Sequence, residues 1–163
     1  MLVSCGIDKT KFWNLNDYSL NFEINAYCAF HAGLNRIDED RIICGGKKGE
    51  CILKIISISN KEIIHKIDNK KIECYTILTI KNKGIFLSGD NNSMIKVYRY
   101  DVKNYENLLC INANQGIINS IILLNDGTIG VCSNDKTIQI MSIEFFKGKQ
   151  KETIFSLFSS IIK

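Results

Sequence analysis

Short runs rich in isoleucine, valine and aromatic residues alternate along this chain with clusters of Asn, Asp, Ser, Gly and Lys. That is the pattern of antiparallel strands joined by tight turns. The third stretch shows it most fully. Ile72 to Ile80 predicts a strand, and Lys81-Asn82-Lys83-Gly84 a turn in which glycine supplies a positive φ. Ile85 to Gly89 is a second strand, Asp90 to Ser93 a turn, and Ile95 to Tyr100 a third strand. Asp101 to Tyr105 then leads to a fourth strand over Glu106 to Ile111.

The neighbouring stretches repeat the plan. Ile117 to Leu124, the turn Asn125-Asp126-Gly127-Thr128, Ile129 to Ser133, the turn Asn134-Asp135-Lys136 and Thr137 to Ile143 follow one another. Earlier come Cys28 to Ile37, the turn Asp38-Glu39-Asp40, Arg41 to Gly45, Cys51 to Ser57 and Glu62 to Ile67. The run Ile121-Ile122-Leu123-Leu124 also fits a buried helix, but the Asn-Asp-Gly turn after it and the repeat register decide for strand. Near the C-terminus, Ile154, Phe155, Leu157, Phe158, Ile161 and Ile162 have helix-like spacing. The strand reading of Glu152 to Phe158 is favoured because the fourth unit otherwise lacks an outer strand.

The repeat has a period of about forty residues, the mark of stacked supersecondary units. Each copy carries a small residue at a strand end (Ser4, Cys44, Ser88, Cys132), then a polar turn that places Asp8, Lys48, Asn92 and Asp135 in register. A strand follows, ending in an aromatic at Trp13 and Tyr98. These residues resemble the WD-repeat β-propeller family, from Met1 to Ile143. The resemblance implies an all-β fold of propeller blades, each of four antiparallel strands. The first unit has no first strand, so the expectation is about three and three-quarter blades. Their approximate bounds are 1–25 (partial), 26–68, 69–112 and 113–163, within one propeller segment. The chain departs from the family pattern in places: no Gly-His pair precedes a blade, Trp13 is followed by Asn14, and Lys48 replaces the turn aspartate.

Composition narrows the chemistry. At 163 residues and 45% hydrophobic content, the chain can bury a core. No apolar run approaches the ~18 residues of a membrane span, and the first residues do not read as a signal peptide. The expected location is cytoplasmic, with the nucleus as the alternative. The seven cysteines include no C-x-x-C pair and read as buried reduced thiols. The net charge of +4 comes almost wholly from lysine, the only arginines being Arg36, Arg41 and Arg99. That argues against a specific nucleic-acid partner, which needs clustered basic residues and arginine forks.

No catalytic, cofactor-binding or metal-ligating residues are nominated. His31 and His65 lie in strand-like runs outside any nucleophile or ligand motif, and Asp38-Glu39-Asp40 reads as a charged turn. Gly45-Gly46 lacks the strand-to-helix setting of a phosphate loop. The family resemblance instead implies a partner face made by loops. Its candidate residues are Lys9, Lys47, Lys48, Lys70, Lys71, Asn91, Asn92 and Lys136, suited to an acidic or phosphorylated peptide. Asp8, Trp13, Asn92, Tyr98 and Asp135 are the structural turn and strand positions.

The function implied is a non-catalytic scaffold for protein–protein interaction. The alternative is the regulatory propeller segment of a larger multidomain enzyme, such as a kinase or ubiquitin ligase. An open set of blades also implies self-association, or a partner chain that completes the propeller.

Overall fold

The computed structural model describes residues 1–6, 8–26, 33–46, 51–68, 72–101, 104–113, 116–142, 145–146, 153–154 and 160–162. The chain forms two compact units, Met1–Ile77 and Leu78–Lys163. Strands account for every regular element among the described residues except one 3₁₀ turn at Lys81–Lys83. No described helix is long and apolar enough to cross a membrane.

The first unit begins with β1 (Leu2–Cys5), β2 (Thr10–Trp13) and β3 (Leu20–Ile24), a three-stranded sheet in that order. Next come β4 (Leu34–Arg36), β5 (Arg41–Gly45), β6 (Cys51–Ser57) and β7 (Glu62–Asp68), a four-stranded meander. The expected missing strand of the first blade is therefore what the structure has. The long strand expected over Cys28 to Ile37 is observed as Leu34–Arg36, and residues 28–32 lie outside the described set.

Between these two sheets lies the core of the unit: Phe12, Ala26, Ile42, Cys44 and Ile56, flanked by Val3, Phe22, Leu34 and Ile58. Phe12 and Phe22 face each other across β2 and β3, with stacked rings 4.1 Å apart. Burial of each such side chain stabilises the fold by about 1.5–3 kcal/mol. Gly33, just before β4, presses on the start of the next strand, β8 (Cys74–Ile80). A Cβ there would come within 2.6 Å of the Ile77 nitrogen. Asn35 of β4 donates from Nδ2 to the Ile77 carbonyl at 3.2 Å.

In the second part of the chain, β8, β9 (Ile85–Asp90), β10 (Met94–Tyr100) and β11 (Tyr105–Asn112) form another four-stranded meander. The bend from β8 to β9 ends on Gly84 at φ 62, the conformation that residue was expected to supply. All six residues of β9 are buried, so both faces of the sheet are covered. This is why its strands read as continuous rather than alternating runs. One face packs Ile85, Leu87, Ile95 and Val97 against Ile118, Ile121, Ile129 and Val131 of the following sheet.

That following sheet contains β12 (Ile118–Leu123), β13 (Ile129–Ser133) and β14 (Ile138–Met141). The Ile121 run is thus strand, not helix. A two-residue pair, β15 (Phe145–Phe146) with β16 (Thr153–Ile154), comes next. The outer strand is then β17 (Ser160–Ile162), antiparallel to β14. The expectation of an outer strand over Glu152 to Phe158 is corrected: the place is taken further along, and within that range the described residues, Thr153 and Ile154, pair with β15 instead. Isoleucine supplies β-propensity at both positions, so local pattern does not distinguish which segment reaches β14.

Candidate functional site

The loops nominated from the sequence begin with the β1–β2 hairpin. Its turn is closed by the Gly6 amide donating to the Lys9 carbonyl at 2.8 Å. Asp8 is exposed at the tip, and the Lys9 ammonium is ion-paired with Glu23 of β3. Hydrogen bonding to that carboxylate, with a smaller field from Asp8, holds Lys9 above the ordinary lysine range despite some loss of solvation. Lys9 is therefore engaged within its own sheet. Trp13 donates from Nε1 to the Ser4 hydroxyl at 2.8 Å, with the Lys11 ammonium 6.0 Å from its ring.

The β9–β10 hairpin is organised by a residue that sequence reasoning passed over. Asp90 Oδ1 accepts hydrogen bonds from the amides of Asn92 (2.9 Å) and Met94 (3.0 Å). Asn92, given the structural role by repeat alignment, is instead exposed at the tip; the correction is that the carboxylate two positions earlier does the capping. Beside Asn92, Ser93 sits at φ 63. Tyr98 is buried and stacked on Phe86 at 4.8 Å, a core role in keeping with its assignment as a structural strand position.

In the β13–β14 hairpin the turn aspartate performs as expected. Asp135 Oδ1 accepts from the Thr137 amide at 2.9 Å and from its hydroxyl at 2.5 Å. Lys136 is exposed at φ 69, in the same turn position as Ser93. The strand-entering loop docks on this hairpin: the Asn134 amide donates to the Ile117 carbonyl at 3.0 Å. A Cβ on Gly116 would meet the Asp135 nitrogen at 2.9 Å. Asn119 reaches Asn134 across 2.5 Å. The structure thus brings together the two classes of loop expected to form one face, here as Asn119, Asn134 and Lys136. The other nominated tips, Lys47, Lys48, Lys70 and Lys71, lie outside the described residues, as does His31. Asn91, half-buried, flanks Asn92.

At the other end of the strands, the acidic cluster is consumed by the fold. Asp38 accepts from the amides of Asp40 (3.0 Å) and Arg41 (2.7 Å), and Arg41 Nε donates to its Oδ2 at 2.6 Å. Asp40 accepts from the Ser57 hydroxyl (2.8 Å) and the Ser59 amide (2.7 Å), tying the β4–β5 turn to the β6–β7 turn. Burial pushes both carboxyls up. Hydrogen bonds and the Arg41 charge outweigh it for Asp38, as the Ser59 and Ser57 bonds do for Asp40, and both end below the usual carboxylate range. No group of three or more His, Cys, Asp or Glu side chains among the described residues is placed to hold a metal ion.

The described polar side chains are thus spent on turns, and what stands clear is a set of short tips on buried strands. Comparison with known proteins bears on this geometry. No family model matches the sequence, and no curated protein matches it. Among solved structures, the chain is similar to one in the crystal structure of the Mitotic Checkpoint Complex, with a TM-score of 0.73 and 11% identity over 85% of this chain. The chain spans 44% of that chain's length. At such low identity the likeness establishes the fold, that of β-propeller blades.

Proposed function

We propose that this chain is a segment of a WD-repeat β-propeller and serves as a non-catalytic protein–protein interaction scaffold. The observation that carries the reading is the docking of the Gly116–Ile117 entry loop on the Asn134–Lys136 hairpin. It converts two separate turns into one composite, solvent-facing patch held by buried strands. A rigid frame with polar tips suits recognition of another protein, since little ordering entropy is lost on binding. The likeness to a chain of a multiprotein checkpoint assembly supports a partner of the same class.

The test is affinity capture with quantitative mass spectrometry. It compares the native chain with a K47E/K48E/K136E variant and with a K81E/K83E variant at the opposite strand ends. Partners lost with the first and kept with the second support the loop face; identical capture by all three chains rejects it. A second reading, the regulatory propeller segment of a larger enzyme, is favoured by the chain's span of under half the matched chain. The sequence and mass of the native gene product test it, through the presence of a catalytic module.

A further inference from the structure

The first sheet has three strands where the next three in the repeat have four. Its edge is β1, and β1 aligns with the second strand of the others through Ser4, Cys44, Ser88 and Cys132. The vacant place in the order is the innermost one, taken elsewhere by β4, β8 and β12. At that place the structure has a cleft of about 370 Å³, lined by Val3 of β1, by Leu34 and Asn35 of β4, and by Ile42 and Ile58. Its floor is the core of the first unit: Ile42 belongs to that core, and Val3, Leu34 and Ile58 pack on it while only partly buried.

The second unit contains the filled version of the same arrangement. There Ile80 of β8 is buried in the inter-sheet core with Ile118 and Ile121 of β12, and Leu78 packs against it. We propose that the cleft beside β1 receives an extended segment of a partner protein, added antiparallel to β1 as a fourth strand, with aliphatic residues at alternating positions. Strand addition of this kind draws affinity from main-chain hydrogen bonds and specificity from pockets for alternate side chains. The internal repeat dictates both the direction of the segment and its chemistry, because β4, β8 and β12 all run antiparallel to the strand that aligns with β1. A second copy is the weaker occupant. The strands with the required pattern, β8 and β12, are already hydrogen-bonded within their own sheets. This surface is separate from the hairpin tips, so it stands or falls independently of the loop reading.

The probe is a labelled synthetic peptide of residues 72–80, carrying Cys74→Ser and a lysine tail, titrated into the full chain by fluorescence polarisation. Saturable one-to-one binding is expected. N-methylation of one alternate set of peptide amides should weaken it by about tenfold or more, and of the other set hardly at all, because a strand's amides point alternately to its two edges. Leu34→Lys should weaken it as well. Absence of saturable binding, or equal loss with both methylated peptides, overturns the proposal. So does a dimer in sedimentation velocity that persists at saturating peptide, which would assign the edge to a second copy. The paired methylated peptides leave the protein unaltered, so the result does not depend on a variant that fails to fold.

Discussion

The Lys96 ammonium lies 3.5 Å from Asp90 Oδ2, between neighbouring strands and almost wholly out of solvent. Lys96 stands directly opposite Ser88, whose hydroxyl is buried without a hydrogen-bond partner. The other oxygen of Asp90 caps the hairpin above. One carboxylate therefore neutralises a buried cation and fixes the turn that carries Asn92.

Removing one member of this pair strands the other charge in the interior. Asp90→Ala is expected to destabilise the chain by about 3–5 kcal/mol, and Lys96→Met by less, because the capping bonds survive. The double variant D90N/K96M should be more stable than Asp90→Ala. Urea denaturation of the three variants measures this; additive losses would show the two charges to be uncoupled.

Stability should fall in acid through the β4–β5 turn. Asp38 and Asp40 both have folded-state pKa values below 3.8, so their contribution is fully present above that value. It is lost as pH falls through the folded-state values, where the native carboxylates finally take up protons. Asp40→Asn should flatten the acid limb of a plot of unfolding free energy against pH and leave Asp38's part. An unchanged limb would show that the Ser57 and Ser59 bonds carry no linkage.

Glycine positions separate close approach from backbone freedom. Gly33→Ala places a Cβ 2.6 Å from the Ile77 nitrogen, and a strand backbone cannot give way as a side-chain tip can. A loss of about 1–3 kcal/mol is expected from the overpacking. Gly127→Ala meets nothing within 4 Å, and only its φ of 84 resists, at about 1–2 kcal/mol. Thermal melts of the two, with crystal structures, would show backbone displacement at Gly33 alone.

Lys136 and Ser93 occupy the left-handed region where glycine is at ease. Lys136→Gly and Ser93→Gly should each raise stability by about 0.5–1 kcal/mol, the relief of strain exceeding the added chain entropy. Lys136→Gly also removes a tip charge without loosening its turn. Weaker partner capture by a more stable variant would therefore separate recognition from folding.

Replacing Ser4 tests the Trp13 contact. Ser4→Ala removes the acceptor for Nε1, but the site is open to water, so the loss should stay near or below about 1 kcal/mol. Tryptophan fluorescence, unambiguous because Trp13 is the only tryptophan, should shift to longer wavelength as water takes the hydroxyl's place.

Much of the architecture was written in local pattern. Runs such as Ile85 to Gly89 and turns such as Asn125 to Thr128 declare strand and bend from side-chain type alone, and recurrence about every forty residues groups them into units of four. The three-stranded first sheet follows from the same count. The capping role of Asp135 was legible too, since an aspartate two residues before a threonine amide needs only local geometry. Which residues meet across strands was decided by tertiary structure. Asp90 outranks Asn92 because Lys96 from the next strand and two turn amides converge on it, which no spacing along the chain records. Ser160–Ile162 rather than Glu152 to Phe158 reaches β14, because an outer strand is chosen by register against its neighbour and not by its own propensity. Asp38 and Asp40 become structural through partners at Arg41, Ser57 and Ser59. Hydrophobic alternation is a property of the sequence, whereas the pairing of buried polar groups depends on which strands the fold sets side by side.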